Sequence, residues 1–158
     1  MTLRWTSLVV GLLAGCAGNQ LPSPELPWVG CFALRQGSWD STPKPNTAGL
    51  PGSVLSLEQA RSTETSHYHS GPWPDSGAVM RTAHLGPRAA VWWKQNGTAV
   101  RVTTIGLSGV TLDLAGTPDS MSGSATVFSD TLKTDSLLVY QVRRSSAALD
   151  ARRITCPE

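Results

Sequence analysis

From Trp28 onward, apolar and polar positions alternate with period two, and no window carries an apolar stripe at helical spacing. Ser, Thr, Gly and Pro break the alternation at roughly 8 to 20 residue intervals, the punctuation of short strands joined by turns. The pattern predicts an all-β domain with strands at 28–35, 54–60, 78–84, 89–95, 98–105, 110–115, 122–129 and 136–144, and a short terminal segment around Cys156.

The sharpest local signal is Ala89-Ala90-Val91-Trp92-Trp93-Lys94-Gln95, then Asn96-Gly97, then Thr98-Ala99-Val100-Arg101-Val102. Asn-Gly between alternating segments favours a two-residue type I′ turn, in which both central residues need positive φ. Such a turn sets Gln95 against Thr98, Trp93 against Val100 and Val91 against Val102, with those last four side chains on one core face. Trp92 would then stand opposite Arg101 on the other face as a cation-π pair.

The N-terminal residues follow a different logic. Arg4 precedes the apolar run Leu8-Val9-Val10-Gly11-Leu12-Leu13, and the small pair Ala14-Gly15 stands directly before Cys16. This is the n-region, h-region and cleavage-site order of a secretory signal, and the run is far shorter than the roughly 20 residues of a membrane-spanning helix. Leu13-Ala14-Gly15-Cys16 resembles the bacterial lipobox. The resemblance implies cleavage after Gly15 and a diacylglycerol on the Cys16 thiol, so that residues 1–15 are a signal peptide and Cys16 is a lipid attachment site. Two or three acyl chains would hold the protein to a membrane, where one alone anchors only marginally. Ala17 stands where, by the same resemblance, an aspartate favours retention in the inner membrane. The expected address is therefore the bacterial cell envelope, in the outer membrane if the organism has one. Residues 16–27 would be the lipidated cysteine and a tether, since Asn19-Gln20-Leu21-Pro22-Ser23-Pro24-Glu25-Leu26-Pro27 is too poor in apolar residues to order itself.

With Cys16 assigned to lipid, Cys31 and Cys156 remain, the number that makes one disulfide in an oxidising compartment. Two unpaired buried thiols are the alternative, and no neighbouring cysteine or histidine at ligand spacing points to a metal. A bond would close a loop of about 126 residues and stabilise the fold by a little under about 5 kcal/mol on the chain-entropy model. It would also tie the first strand to the far end of the chain. Among eight-strand solutions this favours an antiparallel up-and-down barrel over a β-sandwich, for residues 28–158 as a single domain.

Trp28-Val29-Gly30-Cys31-Phe32-Ala33-Leu34, followed by a long loop and a meander of hairpins, resembles the lipocalin-like small barrels, with the tryptophan before the glycine where those families place Gly-x-Trp. The chain is also similar to small lipoproteins of environmental bacteria, a likeness that implies no activity. In a meander, loops 36–53 and 61–77 fall at opposite ends of the barrel. The resemblance places the first of them, which carries Trp39, at the lid over a cavity mouth. A small apolar or amphipathic ligand would then sit among Val91, Trp93, Val100 and Val102 beneath Trp39. An eight-stranded interior holds either one small ligand or packed side chains, so an envelope protein that works through partners around a solid barrel is the alternative.

Composition narrows the rest. The formal charge of +2 loses Arg4 with the signal peptide, and a near-neutral domain lacks the basic face that nucleic acid binding needs. Arg143, Arg144, Arg152 and Arg153 read as a solvated edge and tail, with anionic lipid headgroups as the other use for them. His67 and His69 alternate on one side of an extended segment and form a weak candidate metal pair, for which a polar surface loop is the simpler account. Asp113, between Leu112 and Leu114, should face solvent. The chain has no Gly-x-Ser-x-Gly, phosphate loop, dinucleotide fingerprint or His-Glu-x-x-His, so the sequence points to no catalytic residue and no cofactor.

Overall fold

The computed structural model describes residues 26–40, 50–63, 78–106, 108–133 and 139–158, with side chains described outside 129–144. A 3₁₀ turn at Leu26–Trp28 leads into eight strands: β1 (Gly30–Trp39), β2 (Val54–Arg61), β3 (Arg81–Leu85), β4 (Arg88–Lys94), β5 (Ala99–Thr104), β6 (Ser108–Thr117), β7 (Ser120–Lys133) and β8 (Val139–Ile154). Each strand pairs with its sequence neighbour, and β1 pairs with β8, giving one closed antiparallel barrel. The barrel is thus the solution adopted, and the sandwich is not. Among the described residues every strand is paired on both sides over at least part of its length.

Period-two alternation is visible strand by strand. Leu55 and Leu57 of β2, Ala83 and Leu85 of β3, Val100 and Val102 of β5, and Leu112 and Leu114 of β6 form the inner face, all fully buried or nearly so. Phe32, Ala90, Trp92, Met121, Ala125, Val127, Leu149 and Ala151 complete one continuous core. Two polar side chains that enter it bond to carbonyls of β2. The Trp92 indole Nε1 donates to the Glu58 carbonyl at 2.8 Å. The buried Arg81 guanidinium donates to the Gln59 carbonyl. These two bonds hold the end of β2, where its register shifts between Leu57 and Arg61, against the barrel interior.

The Asn96-Gly97 hairpin forms with a three-residue loop, not the expected two. Gln95 N donates to the Ala99 carbonyl at 3.0 Å and Ala99 N to the Asn96 carbonyl at 2.8 Å, with Gly97 at φ 43°. Thr98 therefore belongs to the turn, and the register moves by one residue: Trp92 opposes Val102, Trp93 opposes Arg101 and Lys94 opposes Val100. A one-residue slip exchanges the two faces of a strand. Trp92 accordingly points into the core with Val100 and Val102, while Val91 and Trp93 stand on the outer face, buried nonetheless. Arg101 does not lie over Trp92. It pairs across β5–β6 with the Asp113 carboxylate, on the outward side expected for that aspartate.

Two further boundaries differ from expectation for one shared reason. β8 continues ten residues beyond Arg144, to Ile154, in place of a terminal tail. Along it Ser145, Ala147, Leu149 and Ala151 are buried while Ala148, Asp150 and Arg152 are exposed, a clean alternation disguised by small side chains. That long partner lets β1 extend through Gln36 to Trp39, which pairs with Ala147 across a bulge. Trp39 is therefore a strand residue packed against the core and not part of a free loop. At the other end of β1, Leu26 and Pro27 belong to the 3₁₀ turn and not to an extended tether.

Among the described glycines, the closest approach to neighbouring backbone is at Gly123 on β7, opposite Leu114. A Cβ there would lie 1.8 Å from the Asp113 carbonyl oxygen. Gly123→Ala is expected to lower stability by about 1–3 kcal/mol through forced backbone displacement, read as a lower midpoint in thermal unfolding followed by far-UV dichroism. Retention of the parent midpoint would contradict this packing.

Candidate functional site

The outer face of β1–β3 carries a row fixed by register: Cys31 opposes Ser56, and Ser56 opposes His84. Past Ile154 the chain leaves β8, and its last residues run exposed to Glu158. Cys156 in that segment is bonded to Cys31, with 5.1 Å between the Cα atoms, which fulfils the expected pairing. Cys31 itself is 4% exposed. Between the bonded tail and the strands lies a groove of about 360 Å³ lined by Cys31, Val54, Ser56, His84, Gly86, Cys156 and Pro157. One residue pair along from Ser56, the Glu58 carboxylate lies 3.2 Å from His84 Nε2, both side chains being about half exposed. The groove thus combines a disulfide, a hydroxyl and an imidazole held by a carboxylate. The disulfide is legible in the sequence and the groove is not, because only the cross-strand register brings residues 31, 56 and 84 into one row.

The barrel end where the 3₁₀ turn enters is closed by cations. Lys94 Nζ lies 5.4 Å from the centroid of the buried Trp28 ring. Arg153 projects inward across from Phe32 and sits 5.0 Å over its ring. Its guanidinium donates to the carbonyls of Val29 at 3.0 Å, Pro118 at 2.9 Å and Pro27, and its Nε lies 3.2 Å from the Asp119 carboxylate. Arg153 is therefore a clasp joining the chain's entry point to the β6–β7 turn, and not the solvated tail residue expected. Arg152, one residue before it, is exposed. Arg153→Ala is expected to cost about 1–3 kcal/mol, because three carbonyls lose their donor, while Arg152→Ala should stay within about 0.5 kcal/mol. Chemical denaturation of the two variants distinguishes them, and equal effects would contradict the clasp.

Of the five residues proposed to line a ligand site, Trp39, Val100 and Val102 share the core cluster, and Val91 and Trp93 do not join it. Val100 and Val102 lie inside, Val91 and Trp93 lie on the outer face, and Trp39 lies at the end of β1. Cys16, His67 and His69 fall outside the described residues. Among the described residues, no group of three or more His, Cys, Asp or Glu is placed to hold a metal ion. No helix there is long and apolar enough to cross a membrane.

No protein-family model, curated protein or solved structure matches the chain. The functional reading therefore rests on the residues themselves.

Proposed function

We propose that the chain is the precursor of an exported lipoprotein, anchored through Cys16, whose barrel has a packed interior and acts through its outer surface as a structural or protein-interacting module of the cell envelope. The observation that carries this reading is the filling of the inner face. Phe32, Leu55, Leu85, Trp92, Val100, Val102 and Leu112 are each 0% exposed and meet in one cluster. An eight-stranded barrel is narrow enough for such side chains to occupy its lumen. The bulk of Trp92 and Phe32 stands where a bound lipophile would need space. Support for the anchor comes from the order of charge, apolar run, small residues and cysteine over residues 4–16.

Both parts are testable separately. In cell fractionation, the parent protein should pellet with membranes and release only in detergent, and Cys16→Ser should lose the lipid mass and the firm attachment. A Cys16→Ser protein of unchanged mass and partition would refute the anchor. For the interior, titration of the intact protein with fatty acids and other apolar probes should give no saturable quenching of tryptophan fluorescence. Saturable one-to-one quenching would instead favour the small-ligand barrel.

A further inference from the structure

We infer that the Cys31–Cys156 bond is a thiol-exchange site of the folded protein, attacked at Cys156 by an external thiolate entering the groove over β1–β3. Both cysteines line that open groove, with Ser56 and His84 along its wall. The two halves of the bond are unequal, since Cys31 is buried on a strand and Cys156 belongs to an exposed tail. Exchange depends on which sulfur can be reached, so attack falls on Cys156 and Cys31 is the leaving group. The incoming thiolate forms a bond to Cys156 Sγ as the Sγ–Sγ bond breaks. The released electron pair leaves on Cys31 Sγ, which takes a proton from solvent. With a dithiol the reaction completes: its second thiolate attacks its own first sulfur and releases Cys156 as a thiol. The dithiol is then oxidised and the protein disulfide reduced.

The fold need not open for this. The β1–β8 ladder runs from Cys31 opposite Ile154 to Trp39 opposite Ala147, and it closes the barrel without the covalent bond. Breaking the bond frees only the residues after Ile154, which are exposed and outside any strand. A bond that chiefly stabilised the barrel by linking distant strands would be protected by the same packing; this one fastens a short tail across a groove. The inference does not depend on the lipid anchor or on the packed interior.

The test incubates the full protein in mild detergent with excess reduced glutathione under native conditions, quenches with N-ethylmaleimide and maps the modified cysteines by mass spectrometry. Glutathione on Cys156 and maleimide on Cys31, with unchanged far-UV dichroism, is the expected result. Filling the groove by Ser56→Trp, or at the neighbouring strand position by His84→Trp, should slow exchange about tenfold, because access limits the attack. The inference is overturned if the adduct forms only in denaturant, if glutathione is found on Cys31, or if both folded tryptophan variants exchange at the parent rate.

Discussion

Trp92→Ala is expected to destabilise the barrel by about 3–5 kcal/mol, the range for removing a large aromatic side chain from a packed core. Small domains are stable by only about 5–15 kcal/mol, so this one change removes a large share of the total. Two losses combine. The indole is 0% exposed among Val100, Val102 and the rest of the core, and its Nε1 satisfies the Glu58 carbonyl near the β2 register shift. Trp92→Phe separates them by keeping most of the ring and removing the donor, which should cost about 1 kcal/mol for the hydrogen bond beyond the lost volume. Equilibrium denaturation in guanidinium chloride checks both values. A Trp92→Ala protein with a near-parent midpoint would mean that the β4–β5 register places another residue in the core.

The second large effect is loss of the disulfide. The Cys31→Ser/Cys156→Ser double variant should be less stable by about 2–4 kcal/mol, since the bond spans 125 positions and restricts the unfolded chain far more than the folded one. It should still fold, because the β1–β8 ladder survives without it. Parallel thermal melts of oxidised, reduced and double-variant protein test this. Reduced parent and double variant should melt together, below the oxidised protein, with the same pre-transition dichroism. If the double variant is unfolded at room temperature, the ladder alone does not close the barrel, and native-state exchange at Cys156 would be untenable.

Much of the architecture is legible in the sequence because the inner face is written in period two. Leu55-Leu57, Val100-Val102 and Leu112-Leu114 are spaced two apart with polar residues between them, and each pair falls on the core face. Two features are not legible locally, for identifiable reasons. Asn96-Gly97 marks a hairpin, but Thr98 joins the turn, and the sequence does not distinguish two-residue from three-residue loops at that site. The consequence is large, because the extra turn residue puts Trp92 and not Trp93 in the core. The last ten residues of β8 were obscured because their inward positions include Ser145, Ala147 and Ala151, small residues that make a weak apolar signal. Their strand character depends on larger partners on β1: Leu34 stands opposite Ala151 and Trp39 opposite Ala147, both packed against the core.

The groove is illegible for a deeper reason. Residues 31, 56, 84 and 156 are far apart in sequence, and no local pattern announces them. Arg153 is similar, because a basic pair near a chain end reads as solvated until the carbonyls of Val29 and Pro118 are found around it. Conversely, the proposed anchor rests on sequence alone: the charge, apolar run and cysteine of residues 4–16 would be read by processing enzymes and not by the fold.

One native mass spectrum of the protein extracted from membranes in mild detergent tests the proposed anchor, the disulfide and the packed interior together. The expected species begins at Cys16, is heavier by a covalent acyl-glyceryl adduct and lighter by the two hydrogens of the Cys31–Cys156 bond, and carries no small molecule that dissociates on activation. A chain beginning at Met1, an unmodified Cys16, or a discrete ligand released on unfolding would contradict it.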